Sequence, residues 1–452
     1  MGCVAVFDSC ASPGRAAVTE AATPFDPLSA SGSSPTGPIT RASVTRVGTA
    51  TVLSALCGYA VLYLAARDLA PAGFSVFGVF WGAFGLVTGA AFGLLQEATR
   101  EVRSARYSEF VAGAAASATS DPGPRTHPMR VAAMVGVVAA AVITASSPMW
   151  SAHVFVRFQW LSVALLSVGL AGFCLHATMM GMLAGVNRWT QYGSLMVTDA
   201  VLRVAVAAAT FLIGWGLVGY LWATVAGSVA WLILLVASPA TRAAARMLTP
   251  GGTVTFLRGA SHSIAAAGAS AILVMGFPVL LKATSGDLGA TGGVVILAVT
   301  LTRAPLLVPL TAMQGNLIAH FVDQRAERLR ALVQPALVVT GLGLLGVLLA
   351  GVFGPWLLRE GFGSEYRADG ELLAWLTGAA VAIALLTLTG AAAVAAALHR
   401  AYSVGWVSAT VASGLLLLLP LGLETRTVIA LLCGPLVGIA VHLAALARMS
   451  HG

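Results

Sequence analysis

A bundle of about twelve membrane-spanning helices in two lobes of six is the all-α fold class this sequence predicts. Three observations carry that expectation. Hydrophobic residues make up 58% of the 452-residue chain and charged residues 9%, so a water-soluble globule would lack the polar surface to cover itself. Apolar runs of about 20 residues, the length a helix rising 1.5 Å per residue needs to cross hydrocarbon, recur roughly twelve times. None of these runs alternates apolar with polar residues as a lipid-facing barrel strand must. A mean hydropathy of +0.89 agrees with a polytopic membrane protein.

The first element, residues 1–42, is a different material. Pro24, Pro27, Ser29, Ser31, Gly32, Ser33, Ser34, Pro35, Gly37 and Pro38 crowd a stretch with no apolar core of signal-peptide length, so it reads as a disordered cytoplasmic tail. Met1-Gly2 opens like a myristoylation site, but Val6 stands where Ser or Thr is wanted. Spans at 47–66, 74–95, 131–149, 158–184, 193–213 and 217–237 then form an N-lobe over 43–240. Residues 241–260, with Pro250, Gly251 and Gly252, form a cytoplasmic linker. Spans at 262–283, 292–316, 333–353, 371–396, 404–423 and 427–446 form a C-lobe over 261–447, and 448–452 are a second short cytoplasmic tail. Six spans per lobe give both the same orientation, so the repeat is parallel, about an axis along the membrane normal.

Within these elements, Gly78, Gly82, Gly85, Gly89 and Gly93 share one face of the second span, where another backbone can approach closely. Tight packing is the plain expectation, and a sliding surface the sharper one. Pro278, Pro305, Pro309 and Pro435 fall inside later spans and predict kinks that free backbone carbonyls.

Arginine sets the orientation, because positive residues are retained on the cytoplasmic side during insertion. The even-numbered loops carry Arg100, Arg103, Arg106, Arg125, Arg130, Arg188, Arg242, Arg246, Arg258, Arg325, Arg328, Arg330 and Arg400, and the tails add Arg15, Arg41, Arg46 and Arg448. The opposite loops have Arg67, Arg157, Lys282, Arg359, Arg367 and Arg426. This bias places both termini in the cytoplasm of a multi-pass protein of the cell inner (plasma) membrane. The net charge of +8 then belongs to topology and to anionic membrane lipids, and no aromatic-interleaved basic patch points to nucleic acid. Cys3, Cys10, Cys57, Cys174 and Cys433 lack metal-ligand spacing, so neither a metal, a cofactor nor a disulfide framework is expected.

Three charges stand deep inside spans: Asp199, Arg203 and Arg303. An intramembrane ionisable group is a functional-site candidate by default. Asp199 and Arg203 are spaced i, i+4 on one helix face and close enough to pair. Either they form an internal salt bridge that makes the helix insertable, or Arg203 faces an aqueous cavity and Asp199 holds it or exchanges with protons or an ion. Arg303 has no acidic residue within four positions and lies near the midplane, where an unpaired arginine costs about 2.5–3.5 kcal/mol on insertion scales. Its compensation comes from Asp199, from carbonyls freed by Pro305 and Pro309, from cavity water, or from an anionic substrate, whose phosphate a guanidinium fork matches. Histidines His176, His262 and His442 are expected to be packed or interfacial, and Gln96, Glu97, Gln314 and Asn316 to contact headgroups.

Several phrases carry a family resemblance. Leu183-Ala184-Gly185-Val186-Asn187-Arg188-Trp189 running through Asp199 to Arg203, Leu301-Thr302-Arg303-Ala304-Pro305-Leu306 with Gln314 following, and the His399-Arg400 turn resemble the polysaccharide-flippase branch of the multidrug/oligosaccharidyl-lipid/polysaccharide (MOP) superfamily. The likeness is greatest to its high-GC, actinobacterial members, and covers nearly the whole chain after the tail. It implies a two-lobed transporter, not an enzyme, that moves a sugar linked to polyprenyl phosphate or pyrophosphate between leaflets by alternating access. Arg303 and Arg203 would be its cavity arginines, and envelope glycosyltransferases or polymerases its partners. The sequence departs from that pattern by having few such arginines, which also admits a smaller or singly phosphorylated headgroup.

Three other readings compete, the least specific being a purely structural membrane partner protein, suggested by the sparse cavity charge. A multidrug or cation antiporter of the same superfamily needs intramembrane acids, and only Asp199 qualifies. A membrane-embedded polyprenyl-sugar glycosyltransferase needs a carboxylate on the first outside loop, where Asp68 stands alone beside Arg67.

Overall fold

The computed structural model describes residues 41–114, 124–324 and 328–450. The expected N-terminal tail lies outside these residues but for its last two. Helix α1 (Arg41–Ala114) carries the first two expected spans in one run. They part at Ala70, whose φ of 52° and ψ of 167° are not helical. Pro71 is the cause, since it has no N–H and forces the residue before it out of the α region. Two tyrosines from other parts of the chain take up carbonyls just before that break: Tyr366 Oη donates to Ala66 O at 3.0 Å and Tyr220 Oη to Leu64 O at 3.1 Å.

Spans three to five follow as α2 (Pro128–Val154), α3 (Gln159–Gly185) and α4 (Trp189–Ile213). The sixth is α5 (Gly216–Ala226) and α6 (Ala230–Ala237), joined by a 3-10 turn at Gly227–Val229. Residues 241–260 hold more structure than a linker predicts. Helix α7 (Pro239–Ala245) is capped by Ser238 Oγ, which accepts from Thr241 N, and the short strand β1 (Arg125–Thr126) pairs antiparallel with β2 (Thr249–Pro250).

The seventh span is broken. Helices α8 (Thr253–Val274) and α9 (Phe277–Ser285) meet at a bend of 62°. In a continuous helix the Val274 carbonyl would accept from the residue four positions on, which is Pro278 and has no N–H. The remaining helices are α10 (Gly289–Asp323), α11 (Arg328–Phe362), α12 (Gly370–Ala395), α13 (His399–Leu416) and α14 (Leu423–Ser450). Pro305 and Pro309 sit inside α10 and Pro435 inside α14 without dividing either. Among the described residues, nine helices are long and apolar enough to cross a membrane, or ten with the bent pair counted as one span. One of them, α1, contains two expected spans. Helix α13 is not among them, because its first turn is the polar His399-Arg400 and it ends at Leu416 rather than at the expected 423.

The glycine face of the second span has a definite partner. A Cβ added at Gly82 would press on Pro278 at 3.0 Å, at Gly85 on Met275 at 3.2 Å, at Gly89 on Ala271, and at Gly93 on the Ile264 backbone itself. The stripe is therefore a seam of near backbone contact between the second expected span and the α8–α9 pair, the close packing such a face permits in lipid.

One helix ending is built twice. After α3, Arg188 N donates to Leu183 O and Asn187 N to Ala184 O, with Asn187 at a φ of 58°; after α12, Leu398 N donates to Ala393 O and Ala397 N to Val394 O, with Ala397 at 60°. The turns stand 210 residues apart (397 − 187), after the fourth and tenth expected spans. Asparagine tolerates the left-handed conformation, whereas alanine there costs about 1 kcal/mol. Ala397→Gly is therefore expected to raise the thermal unfolding midpoint of the purified protein; an unchanged or lower midpoint would contradict the strain.

Candidate functional site at two intramembrane arginines

On α4, Arg203 Nη2 donates to Asp199 Oδ1 at 3.0 Å and Nε lies 3.2 Å from Oδ2. The pairing that the i, i+4 spacing allowed is thus made. The other nitrogen, Nη1, donates to Thr224 O at 2.7 Å, just before the 3-10 turn interrupts the helical ladder of span six. The Phe84 ring of α1 lies 5.3 Å from the guanidinium carbon, and a Cβ at Gly227 would overlap the Asp199 carboxylate. Gly227 is where span six makes room for the pair. His176 of α3 is buried, stacks on Phe173, leaves Nδ1 without a partner and lies within electrostatic range of both Asp199 and Arg203. His442 is a packed histidine, as expected: Nδ1 is 3.0 Å from Thr389 Oγ1 and Nε2 3.2 Å from Tyr402 O.

Arg303 of α10 is 7% exposed. Its Nη1 donates to Val274 O at 3.1 Å and to Leu273 O at 3.4 Å, and the Phe277 ring lies 5.3 Å from its guanidinium carbon. Arg303 therefore caps the carbonyls that the break between α8 and α9 leaves over. Two expected sources of compensation are corrected here. Asp199 is taken by Arg203, and the carbonyls come from the neighbouring helix bent at Pro278, not from Pro305 and Pro309. Kinking prolines are visible in a sequence, but which side chain reaches a freed carbonyl depends on helix packing. One part of the guanidinium remains unused: Nη2 is buried without a hydrogen-bond partner.

A cavity of about 260 Å³ opens elsewhere, beside Lys282 and Arg157, and neither Arg203 nor Arg303 lines it. Glu97 is also not the headgroup contact its position suggests. It is 2% exposed, accepts from Arg100 Nη2 at 2.6 Å, and packs where Gly259 of α8 has no side chain.

The chain is 73% identical over 435 residues to protein Mb3654 of Mycobacterium bovis, covering 96% of this chain and 99% of that one. It is 71% identical over 414 residues to protein Rv1510 of Mycobacterium tuberculosis, covering 92% and 94%. The chain belongs to this mycobacterial family. No protein-family model matches it. Among solved structures, an inward-facing multidrug resistance MATE family transporter of the MOP superfamily superposes with a TM-score of 0.64 at 16% identity, covering 90% of this chain and 96% of that one. A MOP superfamily transporter from Pyrococcus furiosus, described as having a binding pocket of reverse polarity, gives 0.59 at 15% identity, covering 90% and 95%. This chain accordingly has the fold of MATE transporters of the MOP superfamily.

Proposed function

We propose that this chain is a transporter that moves a sugar or oligosaccharide linked to polyprenyl phosphate or pyrophosphate to the outer leaflet by alternating access, for cell-envelope polysaccharide export. The observation that supports this cargo is the state of the buried and half-buried charges. Asp199 and Glu97 are each neutralised by an arginine, while Arg303 keeps one donor nitrogen unpartnered. A cationic cargo needs a free buried carboxylate; a phosphorylated one needs a free donor, and the guanidinium fork matches phosphate geometry. The MOP fold supports a carrier rather than an enzyme. Envelope glycosyltransferases or polymerases are the partners this reading implies, with both termini in the cytoplasm of the plasma membrane. The direct test is reconstitution: vesicles containing the chain are expected to translocate a short-chain polyprenyl-phosphate sugar, and its failure to move would remove this function.

A second reading, cation antiport, is favoured by one feature, the unpartnered His176 nitrogen beside the Asp199–Arg203 pair. The two separate on Asp199→Asn. In the flippase reading this variant loses a charge-assisted interaction of about 2 kcal/mol and neither it nor the wild type shows cation-driven dye efflux. Wild-type efflux that Asp199→Asn abolishes would establish antiport instead. Exchanging Asp199 and Arg203 is expected to restore folding without transport; full transport in the exchanged protein would leave the pair a structural role only.

A further inference from the structure

The sequence contains one lysine against 24 arginines, and that lysine is buried: Lys282 of α9 is 8% exposed. Its Nζ donates to the Gly286 carbonyl, and among the described residues no carboxylate lies within ion-pair distance of it. An ammonium has three donors, so two are left over. Removing such a charge from water without a counter-charge costs several kcal/mol. Lys282 lines the cavity of about 260 Å³ that opens where the segment of α1 after Pro71, the end of α2, α9 and the start of α10 come together.

The rest of that cavity has the same electrostatic sense. Arg157 contributes a second cation, and Val76, Val79, Val154 and Val156 provide apolar wall. Helix α10 begins at Gly289, on the cavity edge, so the positive end of its dipole lies on the same side. The one carboxylate in the lining, Asp287, is already engaged, since its Oδ1 accepts from Gly289 N at 3.3 Å. Two cations thus face one carboxylate that is occupied in holding the helix start. The volume holds a tetrahedral oxyanion with a few waters, each of about 30 Å³, and falls below the roughly 300 Å³ at which pockets for drug-sized ligands begin.

We propose that this cavity is an oxyanion site that binds a phosphate group, with Lys282 and Arg157 supplying charge and the positive end of the α10 dipole reinforcing it. The buried ammonium of Lys282 is a compact point charge, and the exposed guanidinium of Arg157 adds a planar fork. The site stands apart from the cargo reading, which rests on Arg303. Free phosphate and a phosphorylated lipid headgroup offer it the same chemistry.

Because Lys282 carries the only side-chain amine, acetylation of the full chain reports on this cavity alone once peptide mapping separates the N-terminal amine. In phosphatidylcholine nanodiscs, inorganic phosphate at about ten times its dissociation constant is expected to slow Lys282 acetylation about tenfold, and chloride at equal ionic strength to leave it unchanged. Nanodiscs containing a short-chain polyprenyl phosphate are expected to protect without added phosphate if the source is a headgroup, and not to protect if it is the free ion. Arg157→Gln is expected to be acetylated yet lose protection. The thermal midpoint gives a second measure, expected to rise with phosphate in the wild type and not in Lys282→Met. Equal acetylation and equal midpoints with phosphate, polyprenyl phosphate and chloride would overturn the site. Protection that survives Arg157→Gln would overturn the shared role of the two cations.

Discussion

Arg303→Ala is expected to lower the proposed export of a lipid-linked glycan by about tenfold or more, which corresponds to at least about 1.4 kcal/mol of lost interaction with that cargo. Its abundance in the membrane is expected to change little, because two costs oppose each other. The substitution removes a buried guanidinium that costs about 2.5–3.5 kcal/mol to insert. It also leaves Val274 O and Leu273 O without their donor, at about 1–3 kcal/mol. In the proposed function, nothing offsets the loss of a donor to phosphate. Arg303→Lys keeps the charge but loses the fork, so it is expected to retain only part of the export. Export assayed beside immunoblotted membrane protein checks both, and normal export by Arg303→Ala at wild-type abundance would remove this residue from the mechanism.

Gly93→Ala is expected to be the most damaging single methyl in the glycine stripe. Overpacking a well-packed contact costs about 1–3 kcal/mol and occasionally more, and the size depends on whether the neighbour can move. At Gly78 the added carbon meets the Ile296 side chain, which can rotate; at Gly93 it meets the backbone of Ile264 and Ser263, which cannot. A clearly lower thermal midpoint for Gly93→Ala than for Gly78→Ala, with transport reduced in step, is the expected outcome. Equal midpoints would show that the helices separate freely at that end of the seam.

Most of the fold was legible in the sequence because lipid removes choices. Backbone groups in hydrocarbon must bond within their own segment, so each long apolar run had to be a helix. The exceptions are instructive. Pro71 was read as part of a loop, whereas the chain runs on as helix past a single non-helical residue at Ala70. Pro278 was read as a kink, and the bend is there. Pairing of Asp199 with Arg203 followed from i, i+4 spacing, a local property. The surroundings of Arg303, the burial of Glu97 against Gly259 and the seclusion of Lys282 depend on which helices lie side by side. No spacing within one helix encodes that. One signal for Lys282 was present from the start: a chain that uses arginine at every other basic position departed from the habit once.

The bend at Pro278 also bears on how the protein is made. When the α8–α9 corner leaves the ribosome, the Val274 carbonyl lacks an amide from its own helix, and the side chain that serves it is still 25 residues away (303 − 278). At roughly 5–20 residues per second, that interval lasts about 1–5 s. During it the corner has to stay where water or the insertion machinery can solvate it. Release of this segment into the bilayer is thereby tied to synthesis of the helix that follows.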